Sequence, residues 1–341
     1  MLSGKTLVIG DGGWGQAIAM ALHNAGREVA VWGFDADYCR KVARSRDNSK
    51  YLAGVHIPEE IVWTGDADEA IDGAVECYSV VPTQFLRPTL ERFGPRLSNI
   101  PLVSASKGLE ISTLLRPTEI LAEFTGTDDI AVLSGPSHAE EVSRGLATTV
   151  VAAAQNPELA KCCQERIASE QFRVYTSSDP VGVELGGALK NIIAVGAGVA
   201  DGLGLGDNAK AALVSRGLIE MARFGESYGA QRETFFGLSG AGDLMVTCYS
   251  QHSRNRSLGH RIGSGESLEE ILASTQKVAE GVWTTKAIHK AARERNIEMP
   301  ITDALYGILF DNADVGEAVR ELMSRPSKPE LDATQALHAN E

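Results

Sequence analysis

The run Gly10-Asp11-Gly12-Gly13-Trp14-Gly15 constrains the fold more than any other stretch of this chain. It fits G-x-G-x-x-G through Gly10, Gly12 and Gly15, and it follows the apolar segment Lys5–Gly10, which reads as a buried strand. A helix is expected directly afterwards, over Gly15–Asn24. Strand, glycine turn and helix in that order are the context the motif needs. Gly10 permits a tight turn, Gly12 lets the backbone approach a pyrophosphate, and Gly15 lets helix and strand pack closely. The N-terminus of the helix then faces the phosphate charge. The motif predicts a βαβ unit that holds a dinucleotide.

The rest of the first half continues that pattern. Further strands are expected at Glu28–Trp32, Val75–Val81, Leu102–Ser106, Ile130–Leu133 and Thr148–Ala152, separated by helical segments. Such alternation gives a mostly parallel, doubly wound α/β sheet covered on both faces, here a Rossmann domain. After Asp179-Pro180 helical periodicity takes over and no convincing strand follows. Asp179 is placed to cap a helix that starts with Pro180. The expected organisation is a dinucleotide-binding domain over residues 1–178 and an all-α substrate-binding and catalytic domain over 179–341; 341 residues suit two domains.

Charge and composition exclude several functions. A formal net charge of −13 repels nucleic-acid phosphate, so no nucleic-acid partner is expected. No stretch approaches the roughly 20 apolar residues of a membrane span, and the longest, Ile192–Ala200, is interrupted by glycines. The first residues lack a signal peptide's apolar core and cleavage site. The expectation is a cytoplasmic protein without stable membrane insertion. The five cysteines show no CxxC spacing and read as reduced thiols; without HExxH, no metal is expected.

Ligands of an open parallel sheet gather at the carboxyl ends of its strands. Ser106-Lys107-Gly108 and Ser134-Gly135-Pro136-Ser137 both fall there. Lys190 and Asn191 lie in Glu184-Leu-Gly-Gly-Ala-Leu-Lys-Asn-Ile-Ile-Ala-Val, an apolar helix in which a lysine must either snorkel to solvent or line a cavity. Burial would lower its pKa toward neutrality, which suits proton transfer. Asp243 and Thr247 are four apart, on one face if helical, and Asp243 could orient Lys190. Ser253-Arg254-Asn255-Arg256 gathers polar donors in an acidic protein, a fit for a phosphate or for a solvated loop. Val278-Ala279-Glu280-Gly281 sets a carboxylate beside a glycine.

Taken together, these motifs closely resemble the bacterial NAD(P)-dependent glycerol-3-phosphate dehydrogenases. The similarity runs in order from Gly10-Asp-Gly-Gly-Trp-Gly, through Ser104-Ala-Ser-Lys-Gly-Leu-Glu and Leu133-Ser-Gly-Pro-Ser-His-Ala-Glu-Glu, to Val278-Ala-Glu-Gly. The resemblance implies reversible hydride transfer between NAD or NADP and a small phosphorylated substrate, dihydroxyacetone phosphate, giving sn-glycerol 3-phosphate for phospholipid synthesis. It makes Lys190 the general acid/base. It places Lys107, Gly135, Ser137, Asp243, Ser253, Arg254 and Asn255 around the substrate, joined here by Asn191 and Thr247 as their neighbours. Gly13, Trp14, Ala139, Val278 and Glu280 would contact the dinucleotide, with Lys107 and Arg254 approaching it too. A homodimer is an expected assembly.

Two positions depart from the family pattern. Asp11 replaces a small residue and brings negative charge near the pyrophosphate, its side chain expected to point away. Phe34 stands where relatives often carry arginine or histidine; it could stack on adenine, and it tilts the expectation slightly toward NAD. Asp35, 20 residues after Gly15, is about where a ribose-binding acid is expected, but the second strand ends at Trp32-Gly33, so an exposed loop acid is an equally good reading; no arginine nearby in sequence is placed for a 2′-phosphate. The rivals are a β-hydroxyacid-type dehydrogenase and a dinucleotide sensor without catalysis. Intact Lys190 and Asp243 argue against the sensor, and the motifs after Asp243 against the hydroxyacid enzyme.

Overall fold

Eight short apolar segments of the first half pair into one sheet in the order β3-β2-β1-β4-β5-β6-β7-β8. They are β1 (Lys5–Ile9), β2 (Val29–Trp32), β3 (Val62–Thr64), β4 (Ala74–Ser79), β5 (Leu102–Ser104), β6 (Ile130–Ser134), β7 (Thr148–Ala153) and β8 (Phe172–Ser177). The computed structural model describes residues 4–274, 279–327 and 329–330. β1 lies between β2 and β4, with Leu7 opposite both Ala30 and Cys77. All pairings are parallel except β6 with β7, where Leu133 faces Ala152. The central strands are buried along their length, as a sheet covered by helices on both faces requires. From β1 the chain moves one way through β2 and β3, then returns to the other side at β4. That reversal opens a crevice at the carboxyl ends of β1 and β4, and Gly10 stands at its edge.

β3 and β8 are additions to the sequence reading. β3 has only three residues, too few for alternation to show, and its first, Val62, is exposed. β8 is an edge strand in which only Phe172 and Val174 are buried, leaving a weak apolar signal. β4 stops at Ser79 rather than Val81, just ahead of Pro82, which has no N–H to donate to a ladder. The first helix starts at Gly13, two residues earlier than expected.

Past Ser177 the described residues contain helices and no strand. Asp179 caps the helix Pro180–Gly202 through Gly182 N at 2.9 Å, and its other oxygen accepts from Gln231 N and Thr234 Oγ1. By length and composition this 23-residue helix is apolar enough to cross a membrane, which corrects the expectation that no stretch approaches that size. Its apolar window is wholly buried inside the protein, where it forms the axis of the helical half.

Glycines bring two more helices onto this axis. A Cβ at Gly198 would overlap the carbonyl of Arg256, and one at Gly259 would overlap that of Val195. Gly202 and Gly263 meet His260 and Val199 in the same way. The helix Arg254–Gly263 therefore touches the central helix backbone to backbone. Gly281, in the helix Glu280–Glu294, sits against the carbonyl of Asn191, leaving 2.7 Å for a Cβ. The residues that seemed to break an apolar run are the ones that let its neighbours approach.

Candidate active site

The glycine loop has the shape of a pyrophosphate cradle. Gly10 adopts φ +122°, a region L side chains avoid. A Cβ on Gly15 would run into the carbonyl of Gly10, so helix and strand close only on glycine there. Nothing lies within 4 Å of a Cβ built at Gly12, and no side chain caps the helix Gly13–Asn24. Its first N–H groups and its dipole are thus presented to an approaching anion. A Cβ on Gly13 would stand 3.7 Å from Ala139 Cβ, and Trp14 packs against the apolar layer beneath the loop. These residues fit a dinucleotide.

At the end of β2 the acid expected for the ribose has another task. Asp35 accepts from Tyr38 N at 3.0 Å and caps the helix Ala36–Ser45. The carboxylate that lies against Gly33 instead belongs to Asp11, so it does turn away from the glycine-loop helix, toward β2. Phe34 is exposed, and the guanidinium of Arg92 rests over its ring, 4.4 Å from the centroid. No arginine is near in sequence, but one is near in space: Arg92 arrives from the helix Leu86–Phe93, 58 residues further along the chain, beyond the reach of local spacing.

A cluster of two lysines on one aspartate joins the two halves. Lys190 is buried, with its ammonium hydrogen-bonded to Asp243 Oδ1 and, at 2.7 Å, to Thr247 Oγ1. Snorkelling is excluded. The other oxygen of Asp243 accepts from Lys107 Nζ at 2.9 Å. Burial pulls the Lys190 ammonium down to about 8; Asp243 opposes that shift and Lys107 adds to it. Burial pushes the Asp243 carboxyl up, but Lys107 and Lys190 outweigh it and hold the group below the usual carboxylate range. Asp243 and Thr247 do share a helical face, in Asp243–Tyr249, where Thr247 Oγ1 donates to the carbonyl of Asp243 at 2.6 Å. A single π-turn, Leu238–Gly242, delivers this helix.

Local backbone features place each member. Lys107 follows β5, and its carbonyl accepts from Thr83 Oγ1 at 2.9 Å. Its stem runs along Gly187 of the central helix, where a Cβ would stand 3.5 Å from Lys107 Cε and 2.6 Å from Ser134 Oγ. Glu184, one turn earlier, accepts from Arg116 Nη1 at 2.8 Å and from Thr118 N at 2.9 Å, fixing the central helix to the sheet half. Gly135 adopts φ +145° at the end of β6, and Ser137 Oγ donates back to its carbonyl at 2.8 Å.

The polar cluster after Cys248 is a helix start rather than a loop. Ser253 caps Arg254–Gly263 by accepting from Arg256 N. Arg254 is exposed on the first turn, whereas Arg256 turns away to Asp201 at 2.7 Å. Asn255 donates to Asn191 Oδ1 and accepts from Gly281 N, each at 2.9 Å, so these two asparagines tie three helices together.

Lys107 and Glu280 also line a cavity of about 280 Å³ with Gln84, Phe85, Trp283 and Thr284. Those four residues carry no local motif and were not foreseen. Gln84 is held by Leu109 O and Ile111 N, and so braces the Lys107 loop from behind. Val278, expected to contact the dinucleotide, lies outside the described residues.

Comparison with known proteins agrees with this geometry in both halves. Residues 5–160 match the model of the NAD-dependent glycerol-3-phosphate dehydrogenase N-terminus, and residues 179–320 match that of the C-terminus. A glycerol-3-phosphate dehydrogenase [NAD(P)+] of Bacillus mycoides is 48% identical over 333 residues, covering 96% of this chain and 98% of the relative. That of Geobacillus thermodenitrificans is 47% identical over 338 residues, with 98% of each covered. Among solved structures, the glycerol-3-phosphate dehydrogenase of Coxiella burnetii superposes with a TM-score of 0.91 at 35% identity, covering 95% of this chain and 100% of that one. This chain belongs to the NAD-dependent glycerol-3-phosphate dehydrogenase family.

Proposed function

We propose that this enzyme transfers a hydride reversibly between NAD(P)H and dihydroxyacetone phosphate, giving sn-glycerol 3-phosphate for glycerophospholipid synthesis. The observation that carries the reading is the buried Lys107–Asp243–Lys190 cluster at the junction of the halves. The bound nicotinamide supplies the hydride, or accepts it in the reverse direction. Lys190 gives its proton to the oxygen that gains charge at C2, and takes it back from the alcohol when the substrate is oxidised. With its pKa near 8 it can do both around neutral pH. Lys107 contributes a second positive charge beside that oxygen, and Asp243 holds both ammonium groups in place.

The start of the helix Arg254–Gly263 receives the substrate phosphate, with Arg254 as its cation and Ser253 and Asn255 shaping the turn. Gly135 and Ser137 flank the substrate from the sheet side. Gly10, Gly12, Gly13, Trp14, Gly15, Phe34, Ala139, Val278 and Glu280 serve the dinucleotide. On this reading residues 1–178 form the cofactor domain and 179–341 the substrate domain. The enzyme acts in the cytoplasm as a homodimer, which cell fractionation and sedimentation test.

Family matches in both halves favour this reading over a β-hydroxyacid dehydrogenase or a catalytically silent sensor. The test is a spectrophotometric assay with NADH and with NADPH, against dihydroxyacetone phosphate and a panel of hydroxyacids. Turnover of the phosphate substrate is expected; its absence with both cofactors overturns the assignment. Lys190→Ala should lower turnover by about 10²–10⁴-fold while dinucleotide binding persists, and near-normal turnover would remove its acid/base role.

A further inference from the structure

A dinucleotide-binding sheet ordinarily takes the adenosine ribose with an acid at the end of its second strand. Here that place holds Gly33 and Phe34, and the carboxylate of Asp35 is occupied in capping a helix. The carboxylate that stands beside the end of β2 comes from the glycine loop. Asp11 lays its side chain where a Cβ on Gly33 would be: that atom would stand 2.5 Å from Asp11 Cγ and from Cys39 Sγ. Gly33 itself continues the ladder, donating to Thr64 O at 3.0 Å, so it cannot step aside. The missing side chain at Gly33 therefore makes the room that the side chain at Asp11 fills.

The Asp11 arrangement is held from behind. Asn48 Nδ2 donates to the carbonyl of Asp11 at 2.9 Å, and Tyr38 Oη donates to Asn48 Oδ1 at 2.7 Å. The charged groups facing this corner are Asp35, Lys50 and Arg92. Lys50 lies over the rings of Tyr38 and Tyr51, 5.2 and 4.8 Å from their centroids, and Arg92 over Phe34. Asp11 is partly buried. Burial pushes its carboxyl up, and its own backbone amide and Lys50 oppose that only in part. A sugar hydroxyl can donate to such a carboxylate, whereas a 2′-phosphate would set a second anion against it in a poorly solvated corner.

We propose that Asp11 replaces the β2 acid as the ligand of the adenosine ribose and thereby selects NAD over NADP. The proposal rests on the dinucleotide reading above and adds the basis of its cofactor choice.

Equilibrium binding tests it without turnover. NADH and NADPH are titrated by protein fluorescence, and ADP-ribose and its 2′-phosphate by calorimetry. The wild type should bind the unphosphorylated forms at least about tenfold more tightly, and Asp11→Asn, equal in size, should abolish most of that preference. Gly33→Ala keeps the charge but displaces it, and should erode the preference as well. Asp11→Ser, smaller and free of the packing demand, serves if Asp11→Asn folds poorly. An unchanged preference in Asp11→Asn or Asp11→Ser, or a wild type that binds both forms equally, overturns the role of Asp11 alone. A wild type that binds none of the four ligands overturns the dinucleotide reading instead.

Discussion

Lys190 donates to the hydroxyl of Thr247 at 2.7 Å, and that hydroxyl has already committed its own proton to the carbonyl of Asp243. Thr247 can therefore only accept from Lys190, which favours the ammonium against the burial that disfavours it. Replacement by valine keeps the shape and removes the acceptor. In Thr247→Val the pKa of Lys190 should fall further, by about one unit. On the proposed acid/base role of Lys190, reduction requires the ammonium, so the alkaline limb of its pH–rate profile should move to lower pH. Oxidation requires the free amine, and its acid limb should move the same way. Profiles of kcat in both directions check this; an unmoved pair of limbs would detach Thr247 from the proton transfer.

Asp243 carries two lysines, and its loss leaves both ammonium groups facing one another. Asp243→Asn should lower stability by about 3–5 kcal/mol, the scale of a broken buried pair, and turnover by about 10²-fold or more. Thermal unfolding and steady-state kinetics on the same preparation separate the two effects.

Glu220 gives the fold a pH dependence of its own. From the helix Gly206–Glu226 its carboxylate accepts from Ile301 N at 2.7 Å and from Thr302 N at 3.3 Å, capping a neighbouring helix. Burial raises its pKa to about 7, against 4.5 for an ordinary glutamate, and the amide donors only partly oppose it. A raised folded-state value means that the stability it confers is fully present below pH 4.5. That stability is lost as pH climbs through 7. The difference amounts to about 3 kcal/mol. Glu220→Gln should flatten the stability curve over that window, read by urea unfolding at half-unit pH steps.

The glycine contacts between helices can be probed at Gly259. A Cβ there would overlap the carbonyl of Val195, and neither backbone has a flexible end to move. Gly259→Ala should cost about 1–3 kcal/mol or more, despite alanine's better helix propensity. It should also raise KM for the phosphate substrate while dinucleotide binding holds steady. A stabilised variant with unchanged KM would show that the contact is dispensable.

Much of the site was legible because its chemistry sits in short segments. The glycine loop declares itself through strand, turn and helix in sequence. Lys190 is conspicuous as a lone cation in an apolar helix, and the spacing of Asp243 and Thr247 already placed them on one face. What escaped depends on distant segments meeting. Arg92 reaches Phe34 from another helix, and Gln84, Phe85 and Trp283 line the cavity without any pattern to mark them. For Asp35 the sequence left a ribose acid and a loop acid equally open, and its capping task escaped for a different reason. Its spacing was right for a ribose acid, but the following turn competed for the same carboxylate and took it. The glycines of the central helix read as interruptions because a sequence shows the missing side chain, not the neighbour that occupies its place.

The backbone contact of the two helices bears on which molecules the enzyme accepts. Lys190 projects from one helix and Arg254 begins the other, and at the glycine positions between them main chain meets main chain. On the proposed roles of Lys190 and Arg254, the distance between the two backbones that carry proton donor and anion-holding turn is thus set by main chain. A substrate with one more carbon between carbonyl and phosphate should therefore be turned over more slowly, because the two helices cannot slide apart to fit it. On that reading, selection by chain length is built into the scaffold as well as the pocket lining, and changing it would require moving a helix.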